Sequence, residues 1–186
     1  FFAALIFIFI FMHGLPVLLP EVGDVMKQSP ASAAGLTKGD RIIEVDRVVV
    51  NQWAEVTVII HKNPDKTLSF KIKRDNNIII VPITPERKKI KDIFGEEKEI
   101  GLIGIKPSGS SFIQKEGVGS AIANGITRTW EISVLTIVGI VKLIQRIVPA
   151  DTIGGPILIF QMAGEQASLG AMNFFVFMAV ISINLG

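Results

Sequence analysis

The sequence predicts a multi-span α-helical membrane protein with an inserted, mainly β domain. Charge distribution is the first observation behind this. Residues 21–120 hold 16 of the 19 Lys/Arg and 14 of the 17 Asp/Glu of the 186-residue chain. The second is that the flanks, 1–20 and 121–186, are apolar and share only three charges of each sign. The third is a set of short β-branched and alternating runs in the polar middle, separated by turn residues, as strands require. A hydrophobic content of 49% is too high for a disordered chain. A net charge of +2 gives a nucleic-acid partner no electrostatic support. The chain has no cysteine, which excludes disulfides, thiolate zinc sites and Cys nucleophiles within it.

Taken in order, residues 1–20 carry no formal charge and read as a transmembrane helix truncated at its start, with Gly14 and Pro16 ending it. Arg41–Val45 and Val48–Val50 read as strands. Asn51 reads as the N-cap of a helix over Gln52–Lys62, with Trp53, Val56 and Ile60 on one face and Asn63-Pro64 stopping it. Leu68, Phe70 and Ile72 alternate with polar residues as a strand does. Asp75-Asn76-Asn77 supplies a turn and Ile78–Ile83 returns, with Pro82 marking a sheet edge. Residues 85–99 read as a charged, solvated connector, whose Arg87, Lys88, Lys89 and Lys91 are offset by Glu96, Glu97 and Glu99. A short strand is expected at Ile100–Ile105, and the Gly/Ser-rich 108–120 reads as a linker. Residues 121–148 read as a second transmembrane helix, on which Arg128 and Glu131 share a face. Its Lys142 and Arg146 place the following residues in the cytoplasm and the polar domain outside. Residues 149–170 read as a turn and an interfacial helix, and 171–186 as the start of a further, truncated span. Both ends are expected to lie inside membrane helices of a larger protein.

Ser29-Pro30-Ala31-Ser32-Ala33-Ala34-Gly35-Leu36, followed by Gly39-Asp40-Arg41-Ile42-Ile43-Glu44-Val45-Asp46, resembles a PDZ domain, here over residues 21–107. Pro30 and the small residues start a short helix, Gly35 ends it, and Gly39-Asp40 turns into a strand. A span, a PDZ-like domain, a second span, then Ile153-Gly154-Gly155-Pro156-Ile157 and Ile181-Ser182-Ile183-Asn184-Leu185-Gly186 together resemble the site-2 protease family, in its RseP-type intramembrane zinc metalloproteases. That resemblance covers essentially the whole chain.

The resemblance implies zinc held by two His of an HExxH motif and an Asp of an LDG motif, with the HExxH Glu activating water. Neither motif occurs here, since the two histidines are His13 and His61 and no Leu-Asp-Gly is present. The fragment alone is therefore expected to lack catalytic residues and metal ligands, with zinc bound elsewhere in the parent. The family's PDZ modules imply a circularly permuted arrangement. On that pattern Gly101, Leu102, Ile103, Gly104 and Ile105 form the carboxylate-binding loop and strand, and Val56, Ile59 and Ile60 on the helix form the opposite wall. An ordinary edge strand at 101–105 is an equal alternative, and Val22–Val25 is a rival groove strand. Asn184, Gly154, Gly155 and Pro156 are candidates for a substrate path; a helix-to-helix hydrogen bond and a simple turn are their plain alternatives. His13 reads as a helix-end residue. His61 reads either as a ligand reader or as a solvated residue at a helix C-terminus. Asp40 reads as a turn residue.

The implied function is intramembrane hydrolysis of pre-trimmed, single-span membrane proteins in the bacterial inner membrane. The PDZ domain lies on the extracytoplasmic side as substrate filter or docking site for peptide C-termini. A non-catalytic, membrane-tethered PDZ adaptor is the alternative. An HtrA-like serine protease terminus is a weaker one, opposed by the apolar segments after residue 120.

Overall fold

The computed structural model describes residues 2–92, 95–145 and 156–185. They fall into two compact units, one of helices drawn from both ends of the chain and one of mixed helix and sheet from its middle.

The helical unit contains α1 (Phe2–His13), α4 (Val118–Ile144), α5 (Pro156–Ser168) and α6 (Ala171–Leu185). α1 is apolar throughout until Gly14 takes a positive φ of 98° and stops it. Its Ala3, Phe7 and Ile10 recur at helical spacing and are buried with Ala179 of α6. Ile132 of α4 and Met172, Val176 and Ile183 of α6 pack around them. On α4 the hydroxyls turn inward: Thr129 donates to the Gly125 carbonyl at 2.8 Å and Ser133 to the Thr129 carbonyl at 2.8 Å. Such back-bonding satisfies a hydroxyl without water. Arg128 and Glu131 pair at 3.2 Å with both side chains more than half exposed. At 1.5 Å per residue, the 12 residues of α1 and 15 of α6 reach about 18 and 22 Å. Among the described residues, no helix is both long and apolar enough to cross a membrane.

The mixed unit is built on a four-stranded antiparallel sheet of order β4-β3-β5-β6, from β3 (Arg41–Val45), β4 (Val48–Val49), β5 (Leu68–Arg74) and β6 (Asn77–Ile83). Alternation on β5 decides which face is buried: Leu68, Phe70 and Ile72 are 0% exposed, whereas Ser69 and Lys73 face solvent. The buried face joins Ile42, Val45, Val81 and Ile83, and α3 (Trp53–Lys62) adds Val56 and Ile60, in a core that belongs wholly to this unit. α2 (Pro30–Ala33) starts as the sequence indicates, with Ser29 Oγ accepting the Ser32 N–H at 3.2 Å and Pro30 in the first turn. α3 is capped by Gln52 rather than Asn51, because Glu55 reaches back to both backbone N–H groups, at 2.7 Å from Asn51 and 3.3 Å from Gln52.

Residues 85–99 are more ordered than a solvated connector. β7 (Glu86–Lys91) and β8 (Glu97–Leu102) form an antiparallel ribbon in which every β7 residue is exposed. Charge complementarity across the ribbon explains this. Arg87 bonds Asp65 and Glu99, each at 2.7 Å, and Lys89 lies 3.7 Å from Glu97. The strand expected over 100–105 is broken: β8 ends at Leu102 and β9 (Ile105–Pro107) pairs with β2 (Val22–Val25). Within 108–120 the chain forms β10 (Ser111–Gln114), paired with β1 (Leu15–Leu18).

Candidate functional site

The break between β8 and β9 is where the mixed unit becomes concave. Gly104 sits there with φ +80°, and a Cβ on it would come within 2.8 Å of Ser29 Oγ, so conformation and space both require glycine. The preceding carbonyls are committed: Ile103 accepts the Ala31 N–H and Gly104 accepts the Met26 N–H, each at 2.9 Å. In a trans peptide a carbonyl and the N–H that follows it point opposite ways. The N–H groups of Gly104 and Ile105 are therefore turned away from α2 and β2. Among the described residues, no turn or loop carbonyl accepts the Gly104 N–H.

On the other side of the concavity stands α3. Trp53, Thr57, Ile60 and His61 of the helix, with Leu102, Ile103, Gly104 and Ile105, line a cavity of about 140 Å³. Ile60 and Ile103 are 5% and 2% exposed, so they form its floor and also belong to the core. β9 pairs with β2 on one edge, and its other edge has no strand among the described residues. Burial, then the nearby charge of Lys98, holds the His61 imidazole below its ordinary pKa, so the ring is neutral at pH 7.

The residues singled out in the sequence are placed as follows. Leu102, Ile103, Gly104, Ile105 and Ile60 come together around the cavity. Val56 is fully buried in the core and Ile59 packs against it. Gly101 is buried against α3, where a Cβ would come within 2.9 Å of Pro85 and 3.2 Å of Pro64. Trp53 and Thr57 form the wall without a sequence expectation that they would, and His61, read as either a ligand reader or a solvated helix-end residue, lines it as well. Their signal was available in the sequence as a second helical face at spacings of four, beside the face that Val56 and Ile60 mark as core.

Asn184 lies in the helical unit, its Oδ1 2.8 Å from the Thr136 hydroxyl, which joins α6 to α4. Pro156 opens α5, and Gly154 and Gly155 lie outside the described residues. His13 Nδ1 is 3.0 Å from the Phe9 carbonyl, which calls for the ring proton on Nδ1, and its ring rests on that of Phe9 at 3.9 Å. No group of three or more His, Cys, Asp or Glu that could hold a metal ion occurs among the described residues. The donor set described here therefore does not fit a zinc ion.

Asp40, the turn residue, is fully buried. Its carboxylate accepts two bonds from Arg74, from Nε at 2.7 Å and Nη2 at 2.8 Å, and the Thr37 N–H at 2.8 Å. Arg74 Nη2 also donates to the Gly35 carbonyl at 2.8 Å. This clamp ties the end of β5 to the loop after α2.

Comparison with known proteins adds the following. The profile of Peptidase family M50 matches residues 1–186. The regulator of sigma-E protease RseP of Escherichia coli is 34% identical over 177 residues, covering 92% of this chain and 38% of the relative. The regulator of sigma-W protease RasP of Bacillus subtilis is 31% identical over 175 residues, covering 94% and 39%. A Rhizobium meliloti protein whose name places it among zinc metalloproteases is 31% identical over 178 residues, covering 94% and 48%. The chain thus spans less than half the length of these curated relatives. Among solved structures, the PDZ domain of an SdrC-like protein from Listeria innocua is 26% identical, covering 48% of this chain and 92% of that one, with a TM-score of 0.38.

Proposed function

This chain belongs to Peptidase family M50, the site-2 proteases, and from that premise we propose that it is the central part of a membrane-embedded zinc metalloprotease whose mixed unit is a permuted PDZ module that docks peptide C-termini. The substrates are single-span membrane proteins already trimmed on the outer side, cleaved within the membrane. The protein resides in the bacterial inner membrane with the module on the extracytoplasmic side. Its zinc is held by residues other than those described here.

One observation carries the docking role: the Gly104 and Ile105 N–H groups are turned away from committed carbonyls, at the floor of an apolar cavity walled by α3. Two adjacent N–H donors suit a terminal carboxylate, and about 140 Å³ admits one aliphatic side chain. The free edge of β9 offers the peptide a strand to pair with. The neutral His61 adds no charge, leaving the backbone donors to read the carboxylate.

The test is peptide binding to the segment 16–112, which has its own core. A peptide with a free C-terminus is expected to bind about tenfold or more tightly than its C-terminal amide. Thr57→Glu sets a negative charge on the wall and is expected to weaken the free acid about tenfold, while Thr57→Lys does not. Equal binding of acid and amide would remove the carboxylate reading. The proteolytic role is tested separately on the whole protein in lipid. A single-span substrate without its outer domain is expected to be cleaved faster than the intact one. Equal rates would sink the size-filter role.

A further inference from the structure

The outer face of the four-stranded sheet has a composition that the groove does not account for. Across it, Val49, Glu44, Lys71 and Ile80 stand in one row and Arg41, Lys73 and Ile78 in the next, by strand register. Ile78, Ile80 and Val49 are 61%, 65% and 65% exposed. Lys71 pairs with Glu44 at 3.4 Å. Arg41 and Lys73 are directly opposite one another, both exposed, and neither has an ion pair among the described residues. Like charges directly opposite across a ladder are destabilising. Of the acids nearby, Asp46 pairs with Lys66 at 3.3 Å, while Glu21 stands across an isolated antiparallel bridge from Arg41, on the side away from Lys73. The rows therefore carry Arg41, Lys71 and Lys73 against Glu44 and Glu21, an excess of one positive charge framed by exposed aliphatics. The β7–β8 ribbon shows the contrast, because there cations face acids across the strands.

We propose that this face docks the mixed unit onto an anionic phospholipid bilayer, with Arg41 and Lys73 at lipid phosphates and Ile78 and Ile80 against the headgroup–acyl boundary. The proposal rests on the membrane reading above but is independent of the groove. Charge complementarity selects the occupant: a phosphate would pair with Lys73, whose cross-strand neighbours are Arg41 and Ile78 and include no acid. A second copy seated face to face would set like charge against like charge. Docking would hold the unit at the bilayer surface, where trimmed substrates present their ends.

The chain has no cysteine, so single cysteines can be labelled uniquely. The protein in lipid nanodiscs would carry a polarity-sensitive fluorophore at Ile78→Cys, with Val58→Cys on α3 as a wet control and Ile137→Cys on α4 as a lipid marker. In phosphatidylglycerol discs the Ile78 label is expected to shift to the blue and be quenched by brominated lipid, and in phosphatidylcholine discs to remain wet. Each cation biases the docked state roughly fivefold, so Arg41→Gln with Lys73→Gln is expected to lower the docked-to-free ratio about 25-fold, and Lys62→Gln to leave it unchanged. An Ile78 label equally wet in both lipids overturns the proposal. So does one shielded equally in both, which would mean protein covers the face. Failure of the Ile137 label to be quenched in any disc would instead remove the membrane reading on which docking rests.

Discussion

Gly125→Leu is expected to separate α1 from α4. A Cβ at this position would already come within 2.6 Å of Ile8 Cγ1, 3.0 Å of the Ile8 amide nitrogen and 3.3 Å of its Cα. Part of the obstacle is backbone, which cannot rotate away as a side-chain end can. Ala121, one turn earlier on the same face, is fully buried, so the helices approach closely along a small-residue seam. Overpacking of this kind costs about 2–3 kcal/mol. Gly119 on the same helix has nothing within 4 Å of a built Cβ, so Gly119→Leu is the control and is expected to be neutral or slightly stabilising. Thermal unfolding of the chain in detergent, followed by circular dichroism, checks both. A melting temperature for Gly125→Leu equal to that of Gly119→Leu would mean that the seam contributes nothing to the unit.

The second large effect is in the mixed unit. Asp40→Ala removes a fully buried acceptor of four bonds from Arg74 and Thr37, leaving a backbone N–H, a hydroxyl and a guanidinium without that partner. Removing one member of such a clamp costs about 3 kcal/mol, or roughly 12–24 °C in melting temperature for a unit of this size. The clamp also sets an acid limit. Burial pushes the Asp40 carboxyl up, but the Arg74 bonds and charge and the Thr37 N–H outweigh it and hold the pKa below the ordinary 3.8. A depressed carboxylate contributes its full stability above its unfolded value and loses it as pH falls through its folded value. The segment 16–112 should therefore lose stability below about pH 4. Asp40→Asn should flatten that slope, leaving the part due to Glu55, whose carboxylate is also held low, first by the Asn51 N–H. An unchanged acid slope in Asp40→Asn would assign the limit to other groups.

The elements most legible in advance were those specified by nearest neighbours. The β5 alternation, the Pro30 helix start and the Asn63-Pro64 stop each depend on a few adjacent residues, and the structure follows them. The N-cap was displaced by one residue because Glu55, four positions away, serves both candidate donors. The β7–β8 ribbon was not legible, since its strands have no alternating apolar pattern. They are held by pairs such as Arg87–Glu99, which come together only once the turn has formed.

The groove shows the same division. Hydrophobic-Gly-hydrophobic at 103–105 and the helix over 52–62 were visible as patterns, but which helical face would meet the turn was not. Apolar character marked Val56 and Ile59, and the core took both, because burying aliphatic surface is worth more there than beside an open cavity. By itself the sequence determined the division into apolar flanks and a polar middle, the helices and the four strands of the main sheet, because composition and short-range periodicity are local properties, while the PDZ-like and Gly-Gly-Pro motifs pointed to the family. Only the tertiary structure decided that Trp53, Thr57 and His61 form the wall, that Asp40 is clamped by Arg74, and that Arg41 stands opposite Lys73. Each of those depends on register between segments distant in sequence, which no local pattern encodes.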